Sequence, residues 1–167
     1  TLDLLTAVYG DKYSTKELKI MTDDKEIIFR EIYKNNVVPI MGFMDMFELI
    51  KSKKILVGIA SNAIRKNVKM ILSELKIYEK FDSIICGDEV KRGKPDPEMF
   101  DETIDRFNLK KEECLIFEDS VEGVSAAVNS RVDVVGITSS TSGEILIDKG
   151  CITTIDNYLN FDMSIYG

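Results

Sequence analysis

Short apolar runs recur along this chain, at ILVGIA (55–60), SIIC (83–86), CLIF (114–117) and VDVVGI (132–137). ILVGIA is too continuously apolar to face water on either side, which predicts a strand of a parallel sheet covered on both faces. Between the runs the apolar residues keep helical spacing: Ile64, Val68, Ile71, Leu72 and Leu75, then Phe100, Thr103, Ile104 and Phe107, then Val121, Val124 and Val128. ITTI (152–155) predicts an edge strand. Strands alternating with helices in this way predict an α/β fold, an open parallel sheet with helices on both faces.

The first part of the chain lacks this rhythm. Ser14 and Glu17 make a capping box, and the stretch to Asn35 is rich in helix formers, so two helices are expected there. NNVVPIMG, punctuated by Pro39 and Gly42, is the best boundary, dividing the chain into 1–38 and 39–167. Beyond it Ile40, Phe43, Phe47 and Ile50 mark a further helix.

A hydrophobic content of 44% in 167 residues is enough for one domain with a core and a small appendage. No run reaches the ~18 apolar residues of a membrane span, and the start lacks the basic, cleavable pattern of a signal peptide. Three cysteines cannot all pair internally. A soluble cytoplasmic protein is expected. The net charge of −7 argues against a nucleic-acid or anionic-membrane surface. The absence of histidine removes serine–histidine and cysteine–histidine catalysis and every imidazole metal site. Carboxylates, lysine, hydroxyls and metal remain.

Ligands of open α/β sheets bind beyond the carboxyl ends of the strands. Ser61 and Asn62 follow the first strand, where a hydroxyl, an amide and free helix-end N–H groups suit an anion; the bland alternative is a helix cap. Lys94 lies in GKPDPE, where Asp96 is the expected N-cap and Pro97 the first helical residue. It is either a fixed charge for a phosphoryl oxygen or a solvated loop lysine. Glu118 and Asp119 follow CLIF. Asp119 with Glu122 satisfies a capping box, yet two adjacent acids repel unless a cation joins them, and hard oxygen ligands in that number suit Mg²⁺.

With these residues in place, the chain resembles the haloacid dehalogenase superfamily, in its branch of sugar-phosphate phosphatases and β-phosphoglucomutase-like proteins. GIASNA (58–63), GDEVKRGKPDPEMF (87–100) and CLIFEDSVEGVSAA (114–127) carry the resemblance. It implies a Rossmann-like core with residues 1–38 as part of a helical cap. It implies that Ser61, with the backbone at Asn62, binds the transferring phosphoryl group, that Lys94 links that group to a nucleophilic aspartate, and that Glu118 and Asp119 hold Mg²⁺. The implied activity is a phosphatase of a small phosphorylated metabolite working through an aspartyl-phosphate, with a phosphosugar mutase as the alternative. A receiver-like signalling domain would place the acid pair first, so the order here is against it.

One departure stands out, because the family's nucleophile motif, D-x-D at the end of a first central strand, occurs nowhere in these residues. The chain alone is therefore expected to be inactive, with upstream residues missing; a non-catalytic phosphate-binding protein is the other reading. The place of that strand, between 55–60 and 114–117, is expected to be filled by an upstream segment, by a swapped neighbour, or by direct pairing of those two strands.

Overall fold

The computed structural model describes residues 2–10, 12–159 and 161–162. Among them, helices α1 (Leu2–Tyr9) and α2 (Thr15–Tyr33) come first, followed by α3 (Phe43–Ser52), β1 (Gly58–Ser61), α4 (Arg65–Glu74) and β2 (Ser83–Cys86). Then follow α5 (Glu98–Phe107), β3 (Leu115–Glu118), α6 (Val121–Ser130), β4 (Asp133–Ile137), α7 (Gly143–Asp148) and β5 (Thr153–Ile155).

Every strand pair is parallel, as expected. Helices cover both faces, as the alternation along β1 makes plain. Ile59 packs with Phe47, Val68, Leu72 and Cys86, the core of α3, α4 and β2, whereas Ala60 packs with Phe100, Val124 and Val134, the core of α5, α6 and β4. Successive strand residues point to opposite faces, so two separate apolar clusters are what a covered parallel sheet requires.

The sheet is not continuous. Among the described residues β1 pairs only with β2, and β3, β4 and β5 form a second sheet in that order. β1 and β3 do not pair, so of the three ways expected to fill the place between them, direct pairing is the one the structure rules out. Between them runs a groove of about 690 Å³, walled by Gly58–Ala60 and Leu115–Glu118 and lined by Phe47 and Ile50 of α3 and Ile104 and Phe107 of α5. β1 is shorter than the apolar run that predicts it, because its partner β2 begins only at Ser83, opposite Gly58. Of ILVGIA only Gly58 onward enters a ladder, while Ile55 and Leu56 are exposed. The strand predicted at 114–117 begins one residue later and takes in Glu118.

The capping box of Ser14 and Glu17 opens α2 as predicted, with Ser14 N donating to Glu17 Oε2 at 2.8 Å. α2 docks on α4 through one buried amide. Arg30 donates to Asn67 Oδ1 at 2.7 Å, and Asn67 Nδ2 donates to Glu26 Oε2 at 2.5 Å. Ile20, Ile27, Ile28 and Ile32 of α2 stay exposed.

The segment after β5 returns to α3. Tyr158 N donates to Met41 O at 2.9 Å, and the Tyr158 ring packs against Phe43 and Phe117. The close approach needs Gly42, whose φ is +78° and where a Cβ would fall 2.6 Å from Leu159 N. Among the described residues no helix is long and apolar enough to cross a membrane.

Candidate active site

The carboxyl ends of β1 and β3 open into a cavity of about 480 Å³. It brings together all five residues singled out from the sequence, Ser61, Asn62, Lys94, Glu118 and Asp119, with Tyr158 on its wall. Each arrives by a local route that decides between the alternatives above.

Ser61 ends β1, and its Oγ accepts from Ala63 N at 3.2 Å. Neither it nor Asn62 caps the following helix. That service comes from across the sheet, where Asp88 Oδ1 accepts from Arg65 N at 2.9 Å. The Ser61 hydroxyl proton has no acceptor among the described residues and is available to a ligand. The Asn62 side chain is committed elsewhere, since its Oδ1 accepts from Lys94 N at 2.9 Å and its Nδ2 donates to Lys94 O at 3.3 Å. Asn62 is thus the clamp that fixes the Lys94 loop, and only its backbone is left for an anion.

Lys94 is not a solvated lysine. Its side chain is 9% exposed, it forms an ion pair with Glu118, and its Nζ lies 4.7 Å from the Phe100 ring centroid. It stands in a turn and precedes Pro95 through a cis peptide bond. Asp96 serves the next helix as expected, accepting from Glu98 N at 3.0 Å, although α5 begins one residue later than predicted, with Pro97 at the cap position.

Glu118 is equally enclosed, at 9% side-chain exposure. Its Oε2 accepts from Asp119 N at 3.3 Å and from the Ser120 hydroxyl at 3.4 Å. A Cβ on Gly123 would overlap the Glu118 carboxylate, so glycine there is what lets that carboxylate lie over the start of α6. The cap of α6 is Ser120, whose Oγ accepts from Gly123 N at 3.0 Å. Asp119 is therefore not a helix cap. Instead it receives hydrogen bonds from Ser139 and Ser140, in the loop after β4.

Three features went unread in the sequence. Arg65 ties the loop after β2 to α4: it pairs with Glu89 and donates to Ile84 O at 2.7 Å, while Glu89 Oε2 also accepts from Cys86 N at 3.0 Å. The Arg65 hydrogen bonds hold the Glu89 carboxyl below its ordinary range despite partial burial. Tyr158 is pushed up to about 12 by burial, with the charges of Asp119 and Glu118 adding to it. Ser139 and Ser140 were legible in principle, since they follow a strand as the other site residues do.

Glu118 and Asp119 offer adjacent hard oxygen donors, and Mg²⁺ needs only one or two carboxylates when waters and phosphate oxygens complete its shell. The donor set fits that ion. No group of three potential metal-binding side chains occurs among the described residues.

Residues 5–137 match the model of the haloacid dehalogenase-like hydrolases. A phosphorylated carbohydrates phosphatase of Thermotoga maritima is 31% identical over 139 residues, 82% of this chain and 62% of its own length. Among solved structures, a HAD hydrolase of family IA, variant 3, from Entamoeba histolytica superimposes with a TM-score of 0.86 at 24% identity, covering 96% of this chain and 74% of that one. A putative β-phosphoglucomutase from Thermotoga maritima gives 0.73 at 27% identity, covering 92% and 71%. The chain belongs to the haloacid dehalogenase-like hydrolase family. It spans about six-tenths of the curated phosphatase it matches.

Proposed function

We propose that this chain forms the phosphoryl-holding and cation-holding part of a phosphatase of small phosphorylated metabolites. Its nucleophile is an aspartate carried on a strand lying in the groove between β1 and β3. The observation that carries this reading is the meeting of Ser61, Lys94, Glu118 and Asp119 in one cavity at the mouth of that groove. Ser61 at the end of β1 and Glu118 at the end of β3 line the same cavity, so the two strands run the same way, and a strand pairing in parallel with both would deliver its carboxyl end there. An upstream segment and a swapped neighbour are the two sources of such a strand, and the concentration dependence of activity separates them.

In the proposed reaction an aspartate oxygen attacks phosphorus, the ester P–O bond breaks toward the leaving alcohol, which takes up a proton, and water then hydrolyses the aspartyl-phosphate. The Ser61 hydroxyl and the Asn62 backbone N–H orient the phosphoryl oxygens. Lys94, stiffened by Asn62 and Phe100, neutralises the approaching carboxylate and phosphate. Glu118 and Asp119 hold Mg²⁺, which when bound offsets phosphate charge. A phosphosugar mutase is the alternative within the family; Ala63, without a polar group on the cavity wall, favours hydrolysis.

The test is release of p-nitrophenol from p-nitrophenyl phosphate by the full-length protein. Activity is expected to require Mg²⁺ and to fall about 10²- to 10³-fold in Lys94→Ala and Asp119→Asn. A full-length protein that binds phosphate yet hydrolyses no ester overturns the enzymatic reading. Specific activity rising with protein concentration would assign the strand to a swapped neighbour.

A further inference from the structure

Ser139 and Ser140 lie between β4 and α7, outside the motifs that mark the site. The Ser139 hydroxyl donates to Asp119 Oδ2 at 3.0 Å. The Ser140 hydroxyl stands 3.1 Å from the same oxygen and 2.9 Å from the Asp119 carbonyl, sharing its single proton between them. Two consecutive residues thus converge on one carboxylate oxygen, while Oδ1 accepts no hydrogen bond among the described residues.

The fold sets this placement. β3 and β4 are in register with Glu118 opposite Gly136, so the chain leaving β4 passes beside Asp119. The base of the loop is tied to the far strand. Thr138 N donates to Ile155 O at 3.0 Å, and its hydroxyl donates to Asp156 Oδ1 at 2.5 Å. Two anchored hydroxyls on a charged acceptor fix a carboxylate rotamer better than water can.

We infer that Ser139 and Ser140 are positioning residues that occupy Oδ2 of Asp119 and leave Oδ1 as a single-oxygen ligand for a small, hard divalent cation. The inference rests on the reading of Asp119 as a cation ligand. A carboxylate offered through one oxygen suits the octahedral shell of Mg²⁺, whereas Ca²⁺ accepts carboxylates through one oxygen or two. The serine pair therefore sets the preference for Mg²⁺ over Ca²⁺ as well as affinity.

Isothermal titration of the full-length protein with Mg²⁺ and, separately, with Ca²⁺ tests this without turnover. In Ser139→Ala/Ser140→Ala the Mg²⁺ affinity is expected to fall about 10-fold or more, as for lost partners of metal ligands elsewhere. The Ca²⁺ affinity falls less, so the ratio shifts toward Ca²⁺. The single alanine variants are expected to be intermediate, and Ser139→Thr/Ser140→Thr, which restores both hydroxyls, recovers affinity. A double alanine variant with the parent's affinity and ratio overturns the positioning role while leaving the cation site standing. A parent protein that takes up no Mg²⁺, or an Asp119→Asn variant that binds it as before, overturns the cation reading and this inference with it.

Discussion

β4 and β3 are neighbours of similar composition with different fates. β4 is paired on both sides, and Val134, Val135 and Ile137 are at most 2% exposed. β3 is as apolar in its first three residues, yet among the described residues it is paired on one side only, and Leu115, Ile116 and Phe117 are only half-buried. β1 behaves like β3, with Gly58 exposed and the rest half-buried. The difference lies in neighbours rather than residues: a strand suited to the middle of a sheet is covered only when something occupies both its edges. Here the two under-covered strands face one groove, and the cavity of the candidate site opens at its end.

This contrast can be attacked from several directions. The largest effect is expected in the core of the covered strand. Ile137→Ala should destabilise the protein by about 2–5 kcal/mol in urea titration, whereas Leu115→Ala in β3 should cost roughly half as much, in proportion to the apolar area it still shows to water. Equal losses would erase the contrast. Hydrogen exchange comes next. Amides of β4 should be the slowest, and those of Gly58–Ser61 and Leu115–Glu118 directed at the groove should exchange on the order of 100-fold faster. Uniform protection across β1, β3 and β4 would mean that the groove is closed in solution.

The smallest effect concerns the loop that aligns Lys94 with β1. The folded Glu89 carboxyl lies below its ordinary value of 4.5, so its contribution is present above that value and is lost as pH falls through the depressed folded one. Glu89→Gln should therefore be less stable at pH 7 by at most about 1 kcal/mol, as befits a partly solvated pair. The gap to the parent should close progressively below pH 4.5, as thermal melts across pH would show. A gap that widens in acid would reverse the assignment.

Much of this was legible in advance. SIIC is β2 as read, the capping box of Ser14 is in place, and the rule that chemistry follows strand ends placed Ser61, Lys94 and the two acids in one cavity. The same rule applied to β4 would have found Ser139 and Ser140. The helix caps were less legible. Asp88, 23 residues from Arg65, serves α4, and Ser120 serves α6 in place of Asp119, because an N–H group takes whichever oxygen the packing brings near.

The sequence by itself determined the order of strands and helices, the kinds of group at each strand end, and the lack of a D-x-D motif, since periodicity and residue chemistry are local properties. Only the tertiary structure decided that β1 and β3 stand apart, that Lys94 meets Glu118, that Asn62 serves the backbone of Lys94, and that both serines share one oxygen of Asp119. Those partners are joined by strand order and register, which bring together residues remote in the chain that no local pattern can pair.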